Sequence, residues 1–216
     1  MQKLLRWLKW NSRWWLLDFI RFFCGWSMHL FFRIRLYREP GAKLPGLGQP
    51  ALFISNHIGR LDPLVMVTLL MYRRIRIYAT ADLFRVSPLF GWILHRIGCI
   101  EVDKEQFSMA CMRDAEETFS HNGLVGIFPE GGINRQDGMK PFKCGAVMLA
   151  LKTGVPVIPV YQKPIKHWWK RRRVILGKPI YLKEECSSPV PSLKEVVRLS
   201  EILFGKLEAL SNLYHN

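Results

Sequence analysis

The sequence predicts an α/β fold: a single domain with a mixed, largely parallel sheet flanked by helices, preceded by an amphipathic, hydrophobic N-terminal helical membrane anchor. Three observations predict it. Beyond residue 50, short apolar runs alternate with longer helix-patterned ones, as in strand–helix–strand units. The 216 residues are 49% apolar and 23% charged, which supplies a sizeable core and excludes intrinsic disorder. Trp, Phe and basic residues crowd the first forty positions, the composition of a membrane interface. The expected division is residues 1–40 for the membrane-associating segment and 45–216 for the folded domain with its C-terminal helix.

Residues 3–13 (KLLRWLKWNSR) set Lys3, Arg6, Lys9 and Arg13 at helical spacing, with Leu and Trp between them. WWLLDFIRFFCGWSMHLFF (14–32) follows, 19 residues or about 28 Å as a helix, just enough to cross a bilayer. Asp18 and Arg21 interrupt it. Each costs about 2.5–3.5 kcal/mol at a helix centre, against about 0.3–0.6 kcal/mol gained per Leu, Ile or Phe. The two terms nearly cancel, and the two charges are three apart and in reach of each other. The segment therefore reads as a helix lying in, or dipping into, one leaflet rather than a span; the scattered cysteines fit a reduced, cytoplasmic face. A soluble domain's buried helix is the other reading. The interrupting charges and the lack of a small-residue cleavage site argue against a signal peptide.

REPGAKLPGLGQP (38–50) reads as a linker. ALFIS (51–55) is a buried strand, PLVMVTLLMY (63–72) a helix with Pro63 at its first position, and RIRIYAT (74–80) a strand. SPLFGWILHRIG (87–98) is helical and CIEV (99–102) a strand. Residues 103–123 form a helix with Gly123 near its C-cap, and LVGIF (124–128) a strand. KCGAVMLALKTG (143–154) is a helix closed by Gly154. VPVIPVY (155–161) is a strand whose two prolines place it at an edge or a bulge. RVILGKPIYL (173–182) supplies one or two short strands. Ser192 and Glu195 form a capping box, and Val196, Leu199, Leu203, Leu207 and Leu210 then line one face of a C-terminal helix.

Lys plus Arg is 32 against 17 Asp plus Glu, a net charge of +15. Residues 1–40 hold eight cations against Asp18 and Glu39, and residues 163–178 hold seven and no acid. Both patches are interleaved with Trp, which favours a lipid surface. No nucleic-acid partner is expected, because no reading motif accompanies the charge. Cys24, Cys99, Cys111, Cys144 and Cys186 are scattered and odd in number. They form no Cys-x-x-Cys pair or His/Cys cluster, so neither a disulfide framework nor a metal site is expected.

Two loops carry candidate chemistry. ALFIS runs into SNHIGRLDP, where His57 and Asp62 are five apart. On a continuous helix they would diverge by about 140°, so they meet only across a turn, which Gly59 and Pro63 favour. His57 would then be a general base oriented by the carboxylate. The alternative makes Asp62 an ordinary helix N-cap and His57 a loop histidine. In FPEGGINRQDGMKPFK, Glu130 sits at a strand end, Gly131 and Gly132 let the backbone approach a ligand, and Arg135, Lys140 and Lys143 offer cations. The alternative is a solvated surface loop. Both loops start at strand carboxyl ends, where α/β sheets gather ligands.

Together these motifs resemble the glycerolipid acyltransferases, above all the lysophosphatidate-using ones. NHIGRLD (56–62) matches their Asn-His-x-x-x-x-Asp block. GCIEVDKE (98–105) resembles the second block, with Lys104 where Arg is usual. FPEGG (128–132) matches the Phe-Pro-Glu-Gly-Thr-Arg block in part, and VPVIPV (155–160) the fourth. PFKCGAVMLALKTG and GKPI are also similar, so the resemblance covers about residues 45–182. Gly132 and Ile133 replace the usual Thr-Arg, whose Arg holds the acceptor's phosphate; Arg135 lies two residues later.

The resemblance implies acyl transfer from a thioester to the free hydroxyl of 1-acylglycerol 3-phosphate, giving phosphatidic acid in phospholipid biosynthesis. His57 is the implied base and Asp62 its orienter. Asn56, Glu130, Gly131 and Gly132 would hold the acceptor, and Lys104 and Arg135 its phosphate. Backbone N–H groups near the first loop would serve the oxyanion. The donor would be acyl-CoA or acyl carrier protein, with no other cofactor, and membrane lipids would be partners. Another acceptor, such as glycerol 3-phosphate or a different lysolipid, is the first alternative. A non-catalytic membrane-surface binder using KHWWKRRR (166–173) is the second.

Overall fold

The computed structural model describes residues 12–30, 34–70, 72–103, 107–136, 138–164, 172–188 and 190–213. Residues 3–11 of the first basic segment, Lys104, and residues 165–171 of the second basic run lie outside them, as does the side chain of Cys24.

Among the described residues the elements run α1 (Trp15–Leu30), β1 (Arg35–Arg38), β2 (Ala51–Ser55), α2 (Asp62–Thr68), β3 (Ile75–Thr80), α3 (Ala81–Phe84), α4 (Pro88–Arg96), β4 (Ile100–Val102), α5 (Met109–Ser120), β5 (Leu124–Ile127), α6 (Gly145–Thr153), β6 (Val157–Gln162), β7 (Arg173–Leu176), α7 (Leu182–Glu185) and α8 (Leu193–Asn212). The sheet order is β1-β7-β6-β2-β5-β3-β4. Of its pairings only β6 with β7 is antiparallel, so the mixed, largely parallel sheet is as expected.

β2 lies at the sheet centre and every one of its residues is buried. Leu52 and Ile54 face a core completed by α5, α6 and α8, through Ala115, Leu149, Leu199 and Leu203. Ala51 and Phe53 face the opposite core with α1 and α2, through Leu17, Val65 and Met66. A strand covered on both faces needs apolar residues at every position, hence the unbroken run.

Five expectations need correction. β6 is not an edge: it lies between β7 and β2. Past β7 the antiparallel pairing takes in one extra partner residue, from Pro159 opposite Gly177 to Val157 opposite Ile180, so a bulge in the partner lies beside Pro159. Pro159 is tolerated there because its missing donor falls at this irregular step of the pairing. Its carbonyl accepts from Gly177 N, just past β7, at 2.8 Å. β1 belongs to the sheet, paired with β7, although residues 1–40 read as the membrane-associating segment. α2 ends at Thr68, short of Tyr72. α5 begins at Met109 rather than at 103, capped by Ser108; its end closes through Asn122 at φ 58°, with Gly123 N donating to Thr118 O at 2.8 Å, so Gly123 lies by the C-cap as expected. Ser192 caps α8, accepting from Glu195 N at 3.3 Å, but the Glu195 carboxylate takes Ser187 N and Arg198 rather than completing the box.

Gly177 is required by close approach. A Cβ there would stand 2.6 Å from Pro159 Cγ and 2.9 Å from Leu210 Cδ1. Gly177→Ala is expected to destabilise the domain by about 1–3 kcal/mol through overpacking, read as a lower urea midpoint at unchanged slope.

α1 is docked by its charges. Arg21 is buried and donates to Leu70 O and to Asp18 Oδ1, each at 3.0 Å. Arg74 Nε donates to Asp18 Oδ1 at 2.8 Å. The Asp18–Arg21 pair that the spacing allows is therefore present, and it fastens the helix to the domain. Trp15, Phe19, Phe22, Phe23, Trp26 and Leu30 are left exposed. At 100° per residue these six share a stripe about 100° wide. No helix among the described residues is long and apolar enough to cross a membrane.

Candidate active site

The chain leaves β2 at Ser55 and enters α2 at Asp62, so residues 56–61 cross the carboxyl edge of the two central strands β2 and β5. Asn56 fixes the start of this loop. Its side chain donates to Gln162 O at 2.9 Å and accepts from Gln162 N at 2.7 Å, extending the sheet pairing by one step. Asn56 is buried and both its polar atoms are engaged, which makes it a loop anchor rather than the acceptor contact expected.

The turn brings His57 and Asp62 together. Asp62 N donates to Gly59 O at 3.2 Å, and His57 Nδ1 lies 3.1 Å from Asp62 Oδ2. The same oxygen accepts from Ile58 N at 2.6 Å and Gly59 N at 2.7 Å. The Asp62 side chain is 0% exposed. Its other oxygen, Oδ1, accepts from Arg172 Nη1 at 2.7 Å. Burial pushes the Asp62 carboxyl up, but hydrogen bonds from His57, Gly59, Arg172 and Ile58 outweigh it and hold it below its ordinary value. Beside an ionised carboxylate Nδ1 must donate, which leaves Nε2 with the lone pair. The imidazole stacks on Phe128 at 4.4 Å between centroids and remains 14% exposed. Asp62 does not act as the side-chain N-cap of α2; its carboxylate is spent on the loop before it.

Glu130 follows β5 and joins this loop to the next. It is buried, and its two oxygens accept from His57 N at 2.9 Å and Lys140 N at 3.1 Å. The carboxylate expected to hold acceptor is therefore a clamp on two backbones. Three backbone donors of the first loop are engaged within the protein: His57 N serves Glu130, and Ile58 N and Gly59 N serve Asp62.

Gly131 adopts φ +72°, and a Cβ there would meet the Lys143 side chain at 2.8 Å. The Lys143 stem thus lies across the glycine turn. A Cβ on Gly132 would meet nothing within 4 Å, and Arg135 is exposed on the same loop. Asn134, which the sequence did not single out, is buried and ties this loop to the first: its N–H donates to His57 O at 2.6 Å. Gln162 and Arg172 are also unanticipated. Gln162 Nε2 donates to Ser55 Oγ at 3.2 Å, and Arg172 Nη1 lies 3.4 Å from Gln162 Oε1.

Burial raises the Cys111 thiol and pushes Cys99 up to about 12, which disfavours the thiolate at either. Among the described residues no group of three or more His, Cys, Asp or Glu side chains converges as metal ligands would.

A histidine held by a buried carboxylate at the carboxyl edge of an α/β sheet has the geometry that proton abstraction from a nucleophile requires. The acyltransferase family model matches residues 34–163, more than half of the chain, and the chain belongs to that family. It is 30% identical over 165 residues to human 1-acyl-sn-glycerol-3-phosphate acyltransferase alpha, covering 70% of this chain and 57% of that one. It is 29% identical over 119 residues to the chloroplastic 1-acyl-sn-glycerol-3-phosphate acyltransferase BAT2 of Brassica napus, covering 54% and 34%. The chain thus spans from about a third to just over half of the length of these relatives. The crystal structure of the 1-acyl-sn-glycerophosphate acyltransferase PlsC of Thermotoga maritima shares the fold, with a TM-score of 0.65 at 19% identity over 99% of this chain and 87% of that one.

Proposed function

We propose that this protein transfers a fatty acyl group from acyl-CoA or acyl carrier protein to the free hydroxyl of 1-acylglycerol 3-phosphate, giving phosphatidic acid. The observation that carries the reading is the 3.1 Å His57–Asp62 pair. The names of the relatives support the acceptor. An alcohol ionises far above neutrality, so its proton must leave as it attacks. His57 Nε2 takes that proton as the hydroxyl oxygen bonds to the thioester carbon. The carbon–sulfur bond then breaks, and the imidazolium returns the proton to the leaving sulfur. Asp62 holds Nδ1–H and stabilises the imidazolium. Arg135 and Lys143, with Lys104 beyond the described residues, supply positive charge for the acceptor's phosphate. The test is a labelled acyl donor, in each form, offered to lysophosphatidate, glycerol 3-phosphate and unphosphorylated monoacylglycerol. Fastest transfer to lysophosphatidate is expected. Equal transfer to the unphosphorylated acceptor would remove the phosphate from the account.

The protein works at a membrane surface, on this reading, because its acceptor is a lipid. The exposed stripe of α1, with Phe22 at 69% and Trp26 at 70% exposure, is the surface that enters the leaflet. Burying each such ring is worth about 1.5–3 kcal/mol. Phe22→Glu with Trp26→Glu is therefore expected to weaken co-sedimentation with anionic vesicles at least about a hundredfold. Unchanged partitioning would place the contact elsewhere.

A further inference from the structure

We infer that Arg172 is a positioning residue for acyl transfer: it holds Asp62 charged without letting the His57–Asp62 pair capture a proton. This rests on the reading of His57 as the base. β7 runs antiparallel to β6, so the residue before it returns to the carboxyl edge where β2 and β6 end. Arg172 is pinned there by its own backbone, whose carbonyl accepts from Arg35 N at 2.9 Å. Its side chain is 7% exposed and places Nη1 2.7 Å from Asp62 Oδ1. The carboxylate is thereby divided, one oxygen for the arginine and the other for the histidine and two amides. Arg172 lies beyond the segment matched by the family model, which ends at residue 163.

The charge balance gives the arginine its role. His57 and Asp62 share a pocket with the Arg172 guanidinium and the Glu130 carboxylate, while Lys140, Lys143 and Arg135 stand on the loop that Glu130 holds. Without Arg172, a buried carboxylate loses its charged partner and becomes costly. The pair then compensates by taking up one proton. That proton ends on the histidine's outer nitrogen whichever group is drawn as charged. An imidazolium beside a carboxylate carries it on Nε2. So does a neutral imidazole whose Nδ1 accepts from a protonated Asp62. Either form has no lone pair with which to accept the acceptor's proton. A cation at 172 keeps the carboxylate ionised, Nδ1 protonated and Nε2 bare.

The test measures kcat/KM against pH in the full chain, with a labelled acyl thioester and vesicles containing lysophosphatidate, for Arg172→Met and Arg172→Lys. The Met variant's acid limb is expected to move up by about one to three pH units, with activity recovering on the alkaline side. The Lys variant keeps the limb near its native position, and KM for the acceptor stays within about twofold in both. A uniform loss at every pH, or a raised KM at constant kcat, would overturn the assignment. Should the Met variant not fold, Asp62→Asn/Arg172→Met removes both buried charges. It is expected to turn over at the rate of Asp62→Asn alone, since Arg172 acts only through Asp62. A further tenfold loss would show that the arginine acts elsewhere. Full activity in His57→Ala would instead sink the underlying base assignment, a result separable from all of these.

Discussion

Replacing His57 by alanine is expected to lower kcat for acyl transfer by about 10²–10⁴-fold while leaving KM for the lysolipid nearly unchanged. The side chain's polar partner is Asp62, and its ring is stacked on Phe128. The backbone carries the structural load at this position: its N–H donates to Glu130 and its carbonyl accepts from Asn134. Alanine keeps both of those bonds. The loss should therefore fall on the chemical step and not on the fold, and an unchanged urea midpoint would confirm the separation. A variant that kept native kcat would remove His57 from the chemistry.

Glu130→Ala is expected to cost nearly as much, by a different route. The carboxylate satisfies His57 N and Lys140 N inside the protein. Its removal leaves two amides short of a partner, each costing about 1–3 kcal/mol. The first loop would then shift relative to the second, and a displacement of about 1 Å is enough for about a hundredfold in rate. Both the urea midpoint and kcat should fall together. Loss of kcat at unchanged stability would instead assign Glu130 to direct contact with substrate, as its place in the glycine-rich motif suggests on sequence grounds.

That contrast shows where sequence is informative. The His57–Asp62 pairing was legible because Gly59 and Pro63 allow the five-residue separation to close in one turn. β2 and the apolar stripe of α8 were legible because their periods leave no other arrangement. The roles of Asn56 and Glu130 were not, since a buried amide holding backbone and one holding substrate look alike in sequence. β1 was hidden because the alternation of Ile34 and Leu36 with Arg33 and Arg35 is short and follows directly on the aromatic, basic N-terminal run. Arg172 was hidden most thoroughly. It stands in KHWWKRRR, where neighbouring cations suggest a solvated or lipid-facing face, and only the reversal of direction at β7 turns it toward Asp62. The interior position of Pro159 depended on an extra residue in the partner strand beside it, between Gly177 and Ile180, which the residues of β6 do not record.

The most direct test of the account is to count products with and without acceptor. Purified protein is mixed with a labelled acyl thioester, alone and with lysophosphatidate, and both free thiol and labelled phosphatidate are measured over the first turnovers. Transfer in one step, with His57 deprotonating the acceptor, requires one phosphatidate per thiol released and no stoichiometric thiol without acceptor. A burst of thiol equal to the protein concentration in the absence of acceptor, with label retained on the chain, would contradict it.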